Sequence, residues 1–248
     1  MLKLHFVEAS PALRKIQRDA VPEARFHGDL ATLPDDRPLL VIGNEFLDAL
    51  PVRQLIRTPA GWREVTVATE GERFVCVPGA RPMDAAVPEA LRDAGEGTLI
   101  ETSPAAAAVL YEVAGRLTKQ GGAALFIDYG HAEERTGSTF QAVRAHRKVD
   151  PFEAPGERGE IDVSGEIGFA RIAQSRDSRW LGTVGQGQWL RALGIDARAE
   201  ALSLSAPQHR EALHRARDRL VDADQMGELF KVMGLAAPGW PDGAGFER

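Results

Sequence analysis

The run Leu39-Leu40-Val41-Ile42-Gly43-Asn44-Glu45-Phe46-Leu47-Asp48-Ala49-Leu50-Pro51 constrains this chain most. Four apolar residues and a glycine read as a buried strand of a parallel sheet. The strand stops at Asn44 and Glu45, and Asp48 follows three residues later. In open α/β sheets ligands sit beyond the carboxyl ends of the strands. An amide and two carboxylates there are placed for chemistry. The competing reading is that Asn44 or Asp48 caps a following helix.

The flanking sequence extends the pattern. Leu2–Val7 reads as a strand that ends in Glu8. Ser10 then suits an N-cap and Pro11 the first position of a helix running to about Asp19. A short strand near Arg25-Phe26 leads to Asp29-Leu30. The 52–82 region differs. Its β-type runs, Val52–Thr58, Trp62–Thr69 and Phe74–Val77, are separated by turn chemistry at Pro59–Gly61 and Glu70–Glu72. An antiparallel meander inserted into a parallel fold is the expectation. Thr98–Ile100 is a further strand before Glu101, and Ser103-Pro104 opens a helix to Lys119, stopped by Gly121-Gly122. Ala123–Ile127 is another buried strand, ending in Asp128.

Beyond residue 132 the pattern weakens. Phe152–Gly159 reads as loop. Short helices are expected at Ile167–Ala173 and Gln188–Leu193, and amphipathic helices at Ala206–Val221 and Met226–Met233. The chain is treated as one elaborated domain over 1–248. Residues 52–82 are the β insertion and 132–248 a C-terminal elaboration.

Composition limits the function classes. A chain of 248 residues buries enough surface on folding to need no disulfide or metal staple. A net charge of -6 gives no basic footprint for nucleic acid. The single Cys76 excludes an internal disulfide framework and suits a reducing compartment. No run of 18 apolar residues is present to span a membrane. The first residues show neither a secretory nor a transit pattern, so a cytoplasmic location is expected.

The acids at strand ends are the candidate site. Glu8 can accept from both hydroxyls of a ribose, or be a solvated strand-end charge. Asp29 can receive an adenine amino group, or close an Asx-turn. Glu8, Glu45, Asp48, Glu101 and Asp128 together suggest one acidic rim of a sheet. Such a rim also suits Mg²⁺, although no His-x-x-His or Cys-x-x-Cys supports a transition metal. No Gly-x-Ser-x-Gly nucleophile is present. His131 and His146 lack a local partner and read as surface or core residues.

Several stretches resemble one family. Phe6–Pro11, Asn44–Gln54, Phe126–Gly130, Gly137–Ala142, Pro151-Phe152 and Gln225–Val232 are similar to the MidA-type S-adenosylmethionine-dependent class I methyltransferases. Their mitochondrial members methylate protein arginine and act in respiratory complex I assembly. The resemblance implies a Rossmann-like parallel sheet, S-adenosyl-L-methionine as cofactor and a protein substrate offering an arginine side chain. For eukaryotic relatives it implies the mitochondrial matrix. It also implies two departures. The family's first strand and glycine loop are absent, so Leu2–Val7 and Leu39–Gly43 must either pair directly or leave backbone groups open. That would favour oligomerisation or a complementing N-terminal segment. The family's Asp-Ile-Thr-Ala-His-Val-Asp-Phe-like run reads here Asp162-Val163-Ser164-Gly165-Glu166-Ile167-Gly168-Phe169.

With that family in view, Glu45 is the expected leading ligand of the guanidinium, with Asp48 or Glu101 as a second. Asn44 would bridge cofactor and substrate. Glu8, with Ala9, would hold the ribose, and Asp29 with Leu30 the adenine. Two alternatives remain: a Mg²⁺-dependent hydrolase, and a catalytically inactive assembly factor that binds a client protein.

Overall fold

A computed structural model describes residues 2–133, 135–144, 147–150, 152, 162–164, 167–168 and 178–246. The chain opens with β1 (His5–Val7), α1 (Pro11–Ala20) and β2 (Arg25–His27). Ser10 caps α1 by accepting the Leu13 N–H, with Pro11 at the first turn. β1 and β2 are parallel and form a two-stranded sheet of their own. Phe6 and Phe26 stack across them at 5.4 Å.

β3 (Leu39–Asn44) leads into an antiparallel meander of β4 (Arg53–Thr58), β5 (Gly61–Glu70) and β6 (Arg73–Pro82). β7 (Leu99–Thr102) pairs antiparallel with β4 and completes a four-stranded sheet in the order β6-β5-β4-β7. The expected meander is therefore present, and the strand expected near Thr98–Ile100 joins it as β7. Its own core is Leu55, Trp62, Met83, Val87 and Ile100.

α2 (Pro104–Gln120) starts at the Ser103 cap and stops at Gly121, φ +85°. β8 (Gly122–His131) follows at once. A Cβ on Gly122 would stand 1.9 Å from the Leu39 carbonyl oxygen. Only glycine lets β3 come that close. β9 (Gln141–Arg144), β10 (Arg147–Val149) and β11 (Asp162–Ser164) make a small antiparallel sheet. β12 (Ile167–Gly168) lies parallel to the end of β8. The expected loop over 153–159 and most of the expected 167–173 helix lie outside the described residues. The part that is described, Ile167–Gly168, is strand.

The last third holds β13 (Arg179–Gly185), α3 (Gln186–Ala192), α4 (Ile195–Ser205), α5 (Arg210–Val221), α6 (Met226–Leu229) and β14 (Phe230–Ala236). Here the helical reading of Met226–Met233 is corrected. Only one turn is helix, and Phe230 onward runs as a strand between β8 and β13, antiparallel to both. The principal sheet is thus β3-β8-β14-β13, with β3 and β8 parallel. α2 packs on it through Ala106, Leu110, Val113 and Leu117, against Ala124, Phe126, Met233 and Leu235. Among the described residues no strand lies between β1 and β3, and the two do not pair. The fold is the Rossmann-like α/β arrangement expected, with its sheet open at that point.

Candidate active site

The carboxyl end of β3 is built by its neighbour β8. Asn44 lies in register with Ile127, and the Glu45 N–H donates to the Ile127 carbonyl at 2.9 Å. At Glu45 the backbone turns left-handed, φ +48°, the only non-glycine residue so placed among those described. That conformation costs a glutamate on the order of 1–3 kcal/mol and persists only where its surroundings enforce it.

Asp128, within β8 and wholly buried, faces this turn. Its Oδ2 accepts the N–H groups of Phe46 at 3.1 Å, Leu47 at 2.8 Å and Asp48 at 3.3 Å. Its Oδ1 accepts the Tyr129 N–H at 3.0 Å. Successive amides converging on one oxygen form an anion nest. Leu47, inside this turn, is buried in the α2 core cluster and fixes the loop from its apolar side. Asn44 and Glu45 are exposed on this pinned backbone, and Asp48 is half-buried. Burial raises the Asp128 carboxyl to about 7. The Asp48 carboxylate pushes it the same way, while the loop amides pull it down.

Two expectations change here. No helix follows β3; the chain passes through a turn to β4. Helix capping therefore does not account for Asn44 or Asp48. Asp128 is not one of a row of rim carboxylates either, because its side chain points into the loop amides. The sequence held a signal for this. Along β8 the alternation puts Ala124, Phe126 and Asp128 on one buried face. A carboxylate on a core face must find donors there.

The other residues fall into two groups. Glu8 ends β1, half-buried, and its Oε1 accepts the Ser10 N–H at 2.7 Å. Ala9, beside it, is exposed. Asp29 ends β2 and caps a single 3-10 turn, accepting the Ala31 N–H at 2.6 Å, so its turn-closing role is present. Leu30 packs against the α2 core cluster. These four stand at the carboxyl ends of β1 and β2, where a ribose and a base would meet a parallel sheet. Glu101 is elsewhere, on β7 of the meander sheet. It accepts from Gln54 Nε2 at 2.8 Å and from the Thr139 N–H at 3.0 Å, and Gln54 also donates to Ser138. The acids expected on one rim therefore belong to three sheets: Glu8 follows β1, Glu45, Asp48 and Asp128 lie at β3 and β8, and Glu101 is on β7. The Gln54–Glu101–Thr139 network was not anticipated, although Gln54 and Thr139 lie in stretches that resemble the family.

Among the described residues no group of three or more His, Cys, Asp or Glu is placed to hold a metal ion. Nor is any described helix long and apolar enough to cross a membrane.

Comparison with known proteins identifies the family. Residues 1–181 match a family described as "Putative S-adenosyl-L-methionine-dependent methyltransferase". The chain is 31% identical over 268 residues to a rat protein named protein arginine methyltransferase NDUFAF7, mitochondrial, covering 94% of this chain and 59% of the relative. The human protein of that name is 31% identical over 269 residues, covering 94% and 58%. A crystal structure from Burkholderia thailandensis, described as that of a "likely methyl transferase" bound to S-adenosyl-homocysteine, superposes with a TM-score of 0.77 at 30% identity, covering 99% of this chain and 65% of that one. The chain thus spans under two thirds of the length of these relatives. The family match spans residues 1–181 of the 248, and the chain belongs to the family of S-adenosyl-L-methionine-dependent methyltransferases.

Proposed function

We propose that this chain carries the cofactor-binding and methyl-transferring part of a protein-arginine methyltransferase. The observation that carries the reading is Glu45, exposed at the carboxyl end of β3 on a strained and pinned backbone. The names of the mitochondrial relatives support the substrate class, and the S-adenosyl-homocysteine-bound Burkholderia structure supports the cofactor.

The residues present suit the adenosine end of that cofactor. Glu8 offers a carboxylate to the ribose diol, with Ala9 beside it, and Asp29 with Leu30 borders the adenine. When bound, S-adenosyl-L-methionine supplies an activated methyl group. Everything else falls to the chain. A guanidinium is planar, cationic and protonated up to a pKa above about 12. Glu45 fixes its plane and draws its charge to the nitrogens it touches, with Asp48 as the second carboxylate. Asn44 stands between cofactor and substrate. Positioning of this kind can supply roughly 7–11 kcal/mol of barrier reduction. Glu101, held by Gln54 and Thr139, is reassigned to fixing the 137–140 segment on the meander.

The reading includes a partner for the open sheet. The uncovered β3 and β1 suit one extended apolar segment of the kind the longer relatives have room for, acting in cis or in trans. The lone Cys76, an exposed free thiol, supports a reducing compartment such as the cytoplasm.

Glu45→Gln in the complemented protein tests the assignment. Methyl transfer to an arginine-containing protein should fall roughly 10²-fold, the scale of misplacing a reacting group, with cofactor affinity unchanged. Near-normal turnover rejects the role of Glu45. The open face of β3 also favours a second reading, an inactive client-binding factor. Client capture without any methyl transfer by the complemented wild type would select it.

A further inference from the structure

We infer that Asp128 is a positioning residue: its carboxylate clamps the amides of Phe46, Leu47 and Asp48 and thereby sets where the Glu45 side chain stands. The catalytic consequence rests on the function proposed above; the clamp itself does not. A buried carboxylate is costly unless its lone pairs are filled. Of the four hydrogen bonds that fill them here, three go to the loop that follows Glu45. An apolar side chain would pack this face of β8 at lower cost, beside Phe126 and the α2 residues Leu110 and Val113. It would leave three inward amides unmatched and nothing to enforce φ +48° at Glu45.

The clamp depends on charge. An ionised carboxylate only accepts, whereas a protonated one must donate. A proton on Oδ1 would face the Tyr129 N–H, and one on Oδ2 would face three amides. Protonation therefore loosens the loop. Among the described residues, two charged groups flank Asp128. Asp48 comes from the loop itself and opposes ionisation. Lys231 lies in register with Asp128 on β14, but its ammonium donates to Glu228. α2 brings only apolar side chains to the cluster. The carboxyl is raised from 3.8 to about 7. Its contribution to fold stability is thus complete below pH 3.8 and is lost as the pH rises through about 7. The same rise completes the clamp, so loop order and fold stability move in opposite directions.

Backbone amide NMR of the whole chain tests this directly. The Phe46, Leu47 and Asp48 amide protons should shift together on titration, with one midpoint near the raised carboxyl value. The shift should vanish in Asp128→Asn. In Asp48→Asn, which removes the neighbouring charge and keeps the clamp, the midpoint should fall; that variant decides the matter if Asp128→Asn does not fold. Amides of 46–48 that do not titrate together, or a midpoint unmoved in Asp48→Asn, overturn the clamp. For the catalytic part, Asp128→Asn should lower kcat roughly 10²-fold with little change in KM for S-adenosyl-L-methionine, and remove the acid limb of the kcat profile. Equal loss of kcat and cofactor affinity with an unchanged pH profile would assign Asp128 a merely structural role. A complemented wild type that titrates as described but transfers no methyl group would reject the proposed function and leave the clamp standing.

Discussion

β14 and β3 are apolar strands on opposite sides of the same neighbour, β8, yet they meet water differently. In β14 every residue but Lys231 is buried. In β3 only Gly43 is buried, and Leu40 and Ile42 are 66% and 75% exposed. β14 has β8 and β13 at its two edges, α2 on one face and α3 against it as well. β3 has β8 at one edge and α2 against Leu39 and Val41, and nothing described covers Leu40 or Ile42. Around the two-stranded β1–β2 unit, Leu4 before β1 and Leu13 and Ile16 on α1 are also between 49% and 65% exposed. Apolar exposure gathered on one side of a sheet marks an interaction surface. The contrast teaches that a strand's apolar residues report the neighbours it is built for, as well as those it has.

The comparison is broken most easily by mutation. Met233→Ala, in the closed region, should cost about 2–5 kcal/mol by urea denaturation. Ile42→Ala, in the open one, should cost less than about 0.5 kcal/mol. Equal costs would mean that something covers β3. A smaller effect should come from pH, with opposite signs in the two regions. Burial, then the His27 and Arg25 charges, hold the His5 imidazole below its ordinary 6.5, and His5 Nδ1 shares a hydrogen with His27 Nε2 at 2.8 Å. A lowered His gives stability that is present above pH 6.5 and is lost as the pH falls through the folded value. Asp128 gives the reverse. Amide protection, corrected for the intrinsic pH dependence of exchange, should therefore fall in β1–β2 on acidification and rise in β8 outside the 46–48 loop that the protonated clamp releases. A common response in both regions would remove the distinction. Smallest of all, Leu40→Asn with Ile42→Asn should change stability by about 0.5 kcal/mol or less while reducing self-association measured by sedimentation. A large loss of stability would place those side chains in a core.

How much of this was legible depends on the distance over which each feature is determined. Ser10-Pro11 and Ser103-Pro104 announced α1 and α2 because capping is local chemistry. The meander was readable from its turns. β14 was not, since a strand buried on both faces has no alternation and Met226–Met233 imitates a helical stripe. Its identity comes from pairing with β8, about a hundred residues earlier in the chain. β13 and α4 went unread for the same lack of a local signal. At the site, the run Asn44–Asp48 stood out in the sequence, but its geometry did not. The Asp128 clamp joins residues about 80 apart, and the transfer of Glu101 to another sheet follows from β7 pairing with β4.

The central claim is that these residues form the adenosine side of a methyltransferase site whose sheet awaits one more strand. Isothermal titration of S-adenosyl-homocysteine into the 248-residue chain, alone and joined to the additional segment of its Burkholderia relative, measures this most directly. The account predicts weak binding by the chain alone and much tighter binding once the segment is supplied, with that gain lost in Glu8→Ala. Micromolar binding by the chain alone, unchanged by the segment, would contradict it.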